Sequence, residues 1–278
     1  MKLSEMREIL RTRDIALTRS LGQNFLHDAN QLRRIIHLAD LAAGDSILEV
    51  GPGLGPLTAS LLEAGCEVLA IEQDARLVAF LSERWPDQPR LTLEHADALK
   101  FLRSTPRNWV GWKLVANLPY SVASPILVEL ALAGAPPERM VVTLQAEVAR
   151  RLAAPPGSAD YGVLTLLVQV RFVPVGSFAI PRGSFHPPPN VDSACLRLDR
   201  RNEPAVADAL LPVFCQVVKC AFSQRRKKML KLLKTRWPED VLRAAMRELD
   251  LREDIRAEKV SLVEFAELAR RMAEAPHE

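Results

Sequence analysis

Cysteine is scarce and unpatterned here: Cys66, Cys195, Cys215 and Cys220 are the four in 278 residues, with no C-x-x-C step. That excludes a disulfide framework or a ribbon-type zinc site as the basis of the fold. The five histidines are scattered, so no metal centre is expected. Long apolar runs are missing too. No window approaches eighteen consecutive apolar residues, and Met1-Lys2-Leu3-Ser4-Glu5 lacks a signal-peptide h-region. A reducing cytoplasm is the expected location. Repeats and low-complexity stretches are also absent.

What is present is a chain that is 48% apolar, enough for a sizeable core in one large domain or a medium and a small one. Net charge is only +3 but unevenly placed. Residues 1–204 carry 22 basic and 22 acidic side chains; residues 205–278 carry 15 against 12 and so hold the whole excess. Within that tail Lys219, Arg225, Arg226, Lys227, Lys228, Lys231, Lys234 and Arg236 follow one another with no acid between them. A solvated helix face normally intersperses both signs, whereas an unbroken run of one sign marks a surface for a polyanion such as nucleic acid.

Strands and helices alternate along the first 150 residues. Short apolar runs predict strands at 46–50, 67–72, 91–95, 113–116 and 140–144, with helices between them as parallel crossovers require. Residues 163–172 and 195–198 read as two further strands forming an antiparallel closing pair. From Ala205 onward apolar residues recur at helical spacing, as at Val217, Ala221, Leu230 and Leu233. The domain boundary is expected at Arg200-Arg201-Asn202-Glu203-Pro204, giving domains of 1–203 and 204–278.

The chemistry-bearing residues fall at the C-terminal ends of these strands, where ligands bind in an open α/β sheet. Gly51-x-Gly53-x-Gly55 follows the first strand and permits close backbone approach to a ligand, although the third glycine comes one position early for a dinucleotide site. Glu49, Glu72 and Asp97 stand at three successive strand ends. A carboxylate at Glu72 can take both hydroxyls of a ribose, and Asp97 can accept from an adenine amine. Singly, each acid could be only a helix cap; in order they read as an adenosine-containing cofactor laid across the sheet edge. Asn117-Leu118-Pro119-Tyr120 then closes the fourth strand. It supplies an amide, backbone carbonyls kept out of a helix by Pro119, and an aromatic ring. An amino group on a planar ring needs acceptors in its plane and a ring against its face, so this loop points to chemistry on the exocyclic amine of a nucleobase.

Together these motifs resemble class I, S-adenosylmethionine-dependent adenine N6-methyltransferases. More closely, the chain is similar to the small-subunit (16S) rRNA adenine N6,N6-dimethyltransferase family. Four more segments carry that resemblance: 21–26 (Leu-Gly-Gln-Asn-Phe-Leu), 144–152, 185–193 (Phe-His-Pro-Pro-Pro-Asn-Val-Asp-Ser) and 221–227 (Ala-Phe-Ser-Gln-Arg-Arg-Lys). It runs in order from about Thr18 to Lys234. It implies a Rossmann-like, mostly parallel seven-stranded sheet with a small helical C-terminal domain, and S-adenosylmethionine as cofactor. Gln23, Asn24, Leu26, Gly51, Gly53, Glu72, Asp97 and Asn117 would bind that cofactor. Asn117, Leu118, Pro119, Tyr120 and Phe185 would act on the target base, with Tyr120 and Phe185 stacking on either face. Arg225, Arg226, Lys227 and Lys228 would bind RNA of the small ribosomal subunit, with the protein as a monomer. Ser121-Val122-Ala123-Ser124-Pro125 departs from the family's commoner sequence, which leaves the pocket chemistry intact but does not carry a side-chain contact over to Ser121. Three other readings share parts of this pattern: a large-subunit rRNA adenine methyltransferase of the resistance type, a non-catalytic assembly factor, and a DNA adenine methyltransferase.

Overall fold

Short aliphatic and β-branched runs bounded by Gly, Pro and Asp build the centre of the molecule. The computed structural model describes residues 1–15, 24–104, 107–224 and 226–274. In chain order the elements are α1 (Leu3–Thr12), β1 (Phe25–Leu26), α2 (Ala29–Ala39), β2 (Ser46–Val50), α3 (Pro56–Glu63), β3 (Glu67–Glu72), α4 (Ala75–Arg84), β4 (Leu91–His95) and α5 (Ala98–Ser104). There follow β5 (Trp112–Asn117), α6 (Ala123–Ala131), β6 (Arg139–Gln145), α7 (Ala146–Leu152), α8 (Val163–Gln169), β7 (Phe172–Ile180), β8 (Phe185–His186) and β9 (Ser193–Arg200). The chain ends in α9 (Leu211–Ala221), α10 (Met229–Leu233), α11 (Glu239–Glu248) and α12 (Leu262–Glu274). Among the described residues no helix is long and apolar enough to cross a membrane.

Seven strands form one sheet in the order β4-β3-β2-β5-β6-β9-β7, with β2 parallel to both β3 and β5. Strand order reverses beside β2, so the crevice outside the C-terminal ends of β2 and β5 is the natural ligand position. β9 runs antiparallel to β6, pairing Thr143 with Cys195 and Gln145 with Ser193. The central strands are buried on both faces, as parallel strands covered by helices must be. α1 packs Met6 and Leu10 with Phe25, Leu77 and Phe80.

One strand expectation is corrected. Residues 163–169 form α8, and the edge strand β7 begins only at Phe172. Val163-Leu164-Thr165-Leu166-Leu167-Val168 is apolar nearly throughout, so periodicity cannot separate a buried strand from a buried helix. The deciding groups are polar: the Gly162 N–H donates to Thr165 Oγ1 at 3.1 Å, and Thr165 Oγ1 donates to the Arg151 carbonyl at 2.6 Å. Contacts divide the chain into two compact units, Met1–Ala149 with Pro174–Arg200, and Arg150–Val173 with Arg201–Glu278. The second unit therefore takes in residues 150–173 beyond the tail expected from sequence, because α8 packs on α9. Its core includes Phe214, Val217, Leu233, Met246 and Phe265.

At the N-terminal ends of the strands, partly buried ion pairs tie neighbouring elements together. Lys113 donates to Asp45 at 2.6 Å, while Asp199 accepts from Arg139 at 2.8 Å and from Arg197 at 2.7 Å. Burial works against ionisation of both carboxyls, yet the backbone N–H of Ala42 and Lys113 hold Asp45, and Arg197 and Arg139 hold Asp199, below the usual carboxylate range. A carboxylate with a depressed folded-state pKa contributes stability that is present at neutral pH and lost as acid protonates it in the fold. Urea denaturation followed from pH 7 down to about pH 3 is therefore expected to show falling stability below the ordinary carboxylate range of about 4, and Asp199→Asn to flatten that fall.

Candidate active site

The C-terminal ends of β2, β3, β4 and β5 deliver Gly51, Glu72, Asp97 and Asn117 to one cavity, which Asn24, Phe25, Gly53, Leu118, Pro119 and Tyr120 also line. Two glycines shape its floor. At Gly51 (φ +70°) an added Cβ would sit tightly against Pro119, 3.3 Å from its Cγ. At Gly53 (φ +61°) an added Cβ would lie 2.6 Å from the Phe25 ring. The loop thus needs glycine for conformation and for contact at once.

Glu72 is only 6% exposed, and three backbone N–H groups converge on it: Gly53 at 3.1 Å, Gln73 at 2.8 Å and Asp74 at 2.9 Å. Burial raises its pKa, and those three donors work the other way. A carboxylate offers roughly four lone-pair directions, so capacity remains for further donors in the cavity. Asp97 accepts the Lys100 N–H at 2.9 Å as a helix cap and also lines the cavity. Glu49 is buried behind this wall and does not line it. Burial and the neighbouring Glu72 charge push its carboxyl up to about 8.

Asn117 is the last residue of β5. Its Nδ2 donates to the Asn24 carbonyl at 2.9 Å. A carbonyl can be met only by the NH₂ end of the amide, so Oδ1 faces the other way, where it makes no hydrogen bond among the described residues. The Leu118 N–H bonds the Thr143 carbonyl at 3.3 Å, and a Val122 N–H to Pro119 carbonyl bond of 3.1 Å closes the turn. Tyr120 on that turn shares a 2.6 Å hydroxyl–hydroxyl bond with Ser193. Burial pushes its phenol above the ordinary range.

Two of the expected site residues turn their side chains into the core. Leu26 and Phe185 face each other across the β1–β8 pair, each 2% exposed, and pack into the core with Ile35, Ile47 and Ile180. Neither lines the cavity. Successive strand residues point to opposite faces, so only one of Phe25 and Leu26 can reach it. Phe25 is that residue, and a two-residue strand carries too little alternation in the sequence to select it. Of the prolines after Phe185, Pro188 is exposed and Pro189 is buried, and the Phe185 ring stays on the inward side. Gln23 lies outside the described residues, as does Arg225. Arg226, Lys227 and Lys228 are exposed on the loop between α9 and α10. Gln73, Ala98 and Leu99 line the cavity without having been singled out.

If the glycine loop and Phe25 together form the ligand wall, Gly53→Ala must displace the ring and strain the backbone. Titration calorimetry with S-adenosylmethionine is expected to show affinity reduced by about tenfold or more, as a cost above 1.4 kcal/mol implies.

Comparison with known proteins agrees with this geometry. The family described as "Ribosomal RNA adenine dimethylase" matches residues 16–274, beyond the Lys234 limit reached from motifs alone. The chain is 38% identical over 276 residues to "Ribosomal RNA small subunit methyltransferase A" of Streptococcus pneumoniae serotype 2 (strain D39 / NCTC 7466), covering 96% of this chain and 95% of the relative. Among solved structures, 23S rRNA methyltransferase ErmE matches with a TM-score of 0.67 at 29% identity, covering 90% of this chain and all of the other. A dimethyladenosine transferase from Plasmodium falciparum shares the fold, with a TM-score of 0.72 at 24% identity over 88% of this chain and 95% of its own. The class I methyltransferase sheet, the cavity at its switch point and these matches agree: the chain belongs to the ribosomal RNA adenine dimethylase family.

Proposed function

We propose that this enzyme dimethylates the N6 amines of two adjacent adenines in a hairpin near the 3′ end of small-subunit (16S) rRNA, using S-adenosylmethionine, during assembly of that subunit in the cytoplasm. The observation that carries the reading is Asn117, at the end of β5 in the cavity lining: an amide whose NH₂ is committed to the Asn24 carbonyl and whose oxygen is a buried acceptor with no hydrogen-bond partner among the described residues. The small-subunit assignment over the large-subunit one is supported by 38% identity to a small-subunit methyltransferase against 29% to a 23S enzyme.

The residues present fit the cofactor. Glu72 keeps acceptor capacity for ribose hydroxyls, Asp97 stands beside it for an adenine amine, and the Gly51–Gly53 floor has no side chains in the way. Bound there, S-adenosylmethionine supplies the methyl group from its sulfonium. The chain's own task is to prepare the acceptor. The N6 lone pair of adenine is delocalised into the ring and is a weak nucleophile. Asn117 Oδ1 and the Leu118 carbonyl each take one N6 hydrogen and favour a pyramidal nitrogen, which returns the lone pair to it. Tyr120 stacks on the flipped base and holds it in that orientation, so rate comes from positioning and electrostatics. RNA is held by the second unit through the exposed cations of the α9–α10 loop.

The test is methyl transfer from labelled S-adenosylmethionine to unmethylated small and large ribosomal subunits, with nucleoside analysis. Dimethyladenosine in small-subunit RNA alone is expected. Label confined to large-subunit RNA would replace the reading with the 23S one. Asn117→Ala is expected to cut transfer by about a hundredfold or more while cofactor affinity changes far less; equal loss of both would remove Asn117 from the chemistry. Replacing Arg226, Lys227 and Lys228 with Ala is expected to weaken small-subunit binding and make its log affinity less steep against log salt by about one to three. An unchanged slope would return those cations to ordinary solvation.

A further inference from the structure

The tetrapeptide places Tyr120 on a turn, where an aromatic side chain has two free torsions and little to fix its tilt. Strand register supplies a fixed point. Asn117 stands opposite Thr143 on β6, Thr143 opposite Cys195 on β9, and Gln145 opposite Ser193. Ser193 therefore lies two positions beyond the level of Asn117, on the side toward which the tetrapeptide loop leaves β5. The Tyr120 hydroxyl meets Ser193 Oγ there at 2.6 Å. Ser193 is 1% exposed and part of the β6–β9 ladder, so it cannot follow a moving ring. The residue before it is also held: the Asp192 carbonyl accepts the Ala146 N–H at 2.8 Å, and its carboxylate accepts from Arg182 Nε at 2.8 Å. The ring is thus pinned at its far end to a buried, ladder-held end of the 185–193 segment.

We propose that Ser193 is a positioning residue for the target base: through its bond to the Tyr120 hydroxyl it sets the plane on which the adenine stacks. This rests on the reading of Tyr120 as the stacking platform. The hydroxyl of Ser193 touches no reacting atom; it acts by restricting the ring before the base arrives, which lowers the ordering cost of the stacked state. It gives the Tyr120 hydroxyl a function that stacking alone does not require.

The test is steady-state methyl transfer to unmethylated small subunits by Ser193→Ala, Tyr120→Phe, the double variant and Tyr120→Ala, with cofactor affinity and thermal midpoint measured alongside. Losing one buried hydrogen bond corresponds to about a three- to tenfold drop in kcat for Ser193→Ala and for Tyr120→Phe, with cofactor affinity unchanged. The double variant is expected to be no slower than either single one, because both remove the same bond. Tyr120→Ala, which removes the stacking surface, is expected to fall further, by about ten- to a hundredfold. If Tyr120→Ala is impaired while Tyr120→Phe and Ser193→Ala turn over normally, the platform stands and the role of Ser193 is overturned. The same follows if Ser193→Ala alone is slow or if the two single losses multiply in the double variant. If Tyr120→Ala is fully active, the stacking reading itself fails and takes this inference with it. Should Ser193→Ala not fold, Tyr120→Phe still decides, because it leaves Ser193 in place.

Discussion

A carboxylate nearly cut off from water has to be met by donors, and the first unit is organised around meeting one. Glu72 sits at the end of β3 with 6% of its surface exposed, and the three N–H groups it draws come from two directions. Gln73 and Asp74 belong to its own strand exit, while Gly53 belongs to the loop after β2. The glycine loop is therefore folded over β3 by the charge it will help present to a ligand. An unpaired buried carboxylate would cost several kcal/mol, about the scale of the stability of a whole domain. Glu49, one strand over, shows the other outcome. With no comparable set of donors it is pushed to about 8, so at neutral pH it stays mostly protonated and avoids placing a second negative charge beside Glu72.

The same logic of committed partners runs through the β5 loop. The Asn24 carbonyl takes the NH₂ of Asn117, the Thr143 carbonyl takes the Leu118 N–H, and the Tyr120 and Ser193 hydroxyls share a hydrogen bond. Each bond uses up a group that could otherwise turn toward the cavity. In the proposed reading, what is left to face the base is a set of acceptors and one ring, which is what an aromatic amine requires. Specificity for an amine over a hydroxyl or a ring carbon comes from this subtraction as much as from any single contact.

Much of this was legible in the sequence because strand ends and breakers are local signals. Gly51, Glu72, Asp97 and the Asn117–Tyr120 loop each follow a short apolar run, and five strands fall within a residue or two of where those runs lie. Face was harder to read than element. Leu26 and Phe185 belong to two-residue strands, too short for alternation to assert itself, and their inward side is fixed only by pairing 159 residues apart in the chain. Residues 163–169 were misread for a related reason: a helix buried all round has no polar stripe, and the Thr165 hydroxyl that starts it bonds to Arg151, fourteen positions back. The excess positive charge of the tail was plain from counting, but the joining of residues 150–173 to that unit depends on helix packing that composition does not encode.

Dimethylation raises a chemical question that the site answers without a dedicated base. Glu72 has its oxygens engaged by backbone donors, Asp97 caps a helix, and the Tyr120 phenol is pushed above its ordinary range, so it holds its proton throughout. With its proton held, the Tyr120 phenol does not act as a general base. None is required. The adenine amine becomes strongly acidic only after it has accepted a methyl group and lost ring conjugation, so its proton leaves to water once transfer is complete. In the mechanism we propose, the nitrogen has a single hydrogen left for the second transfer, and only one of the two acceptors, Asn117 Oδ1 or the Leu118 carbonyl, can still hold it. The other must then tolerate a methyl group at its face. A site built from acceptors on a turn, with its ring anchored at one point, meets that requirement more readily than one in which every group is fixed to the substrate. The demands of binding the amine and of methylating it twice are thereby met by the same few atoms.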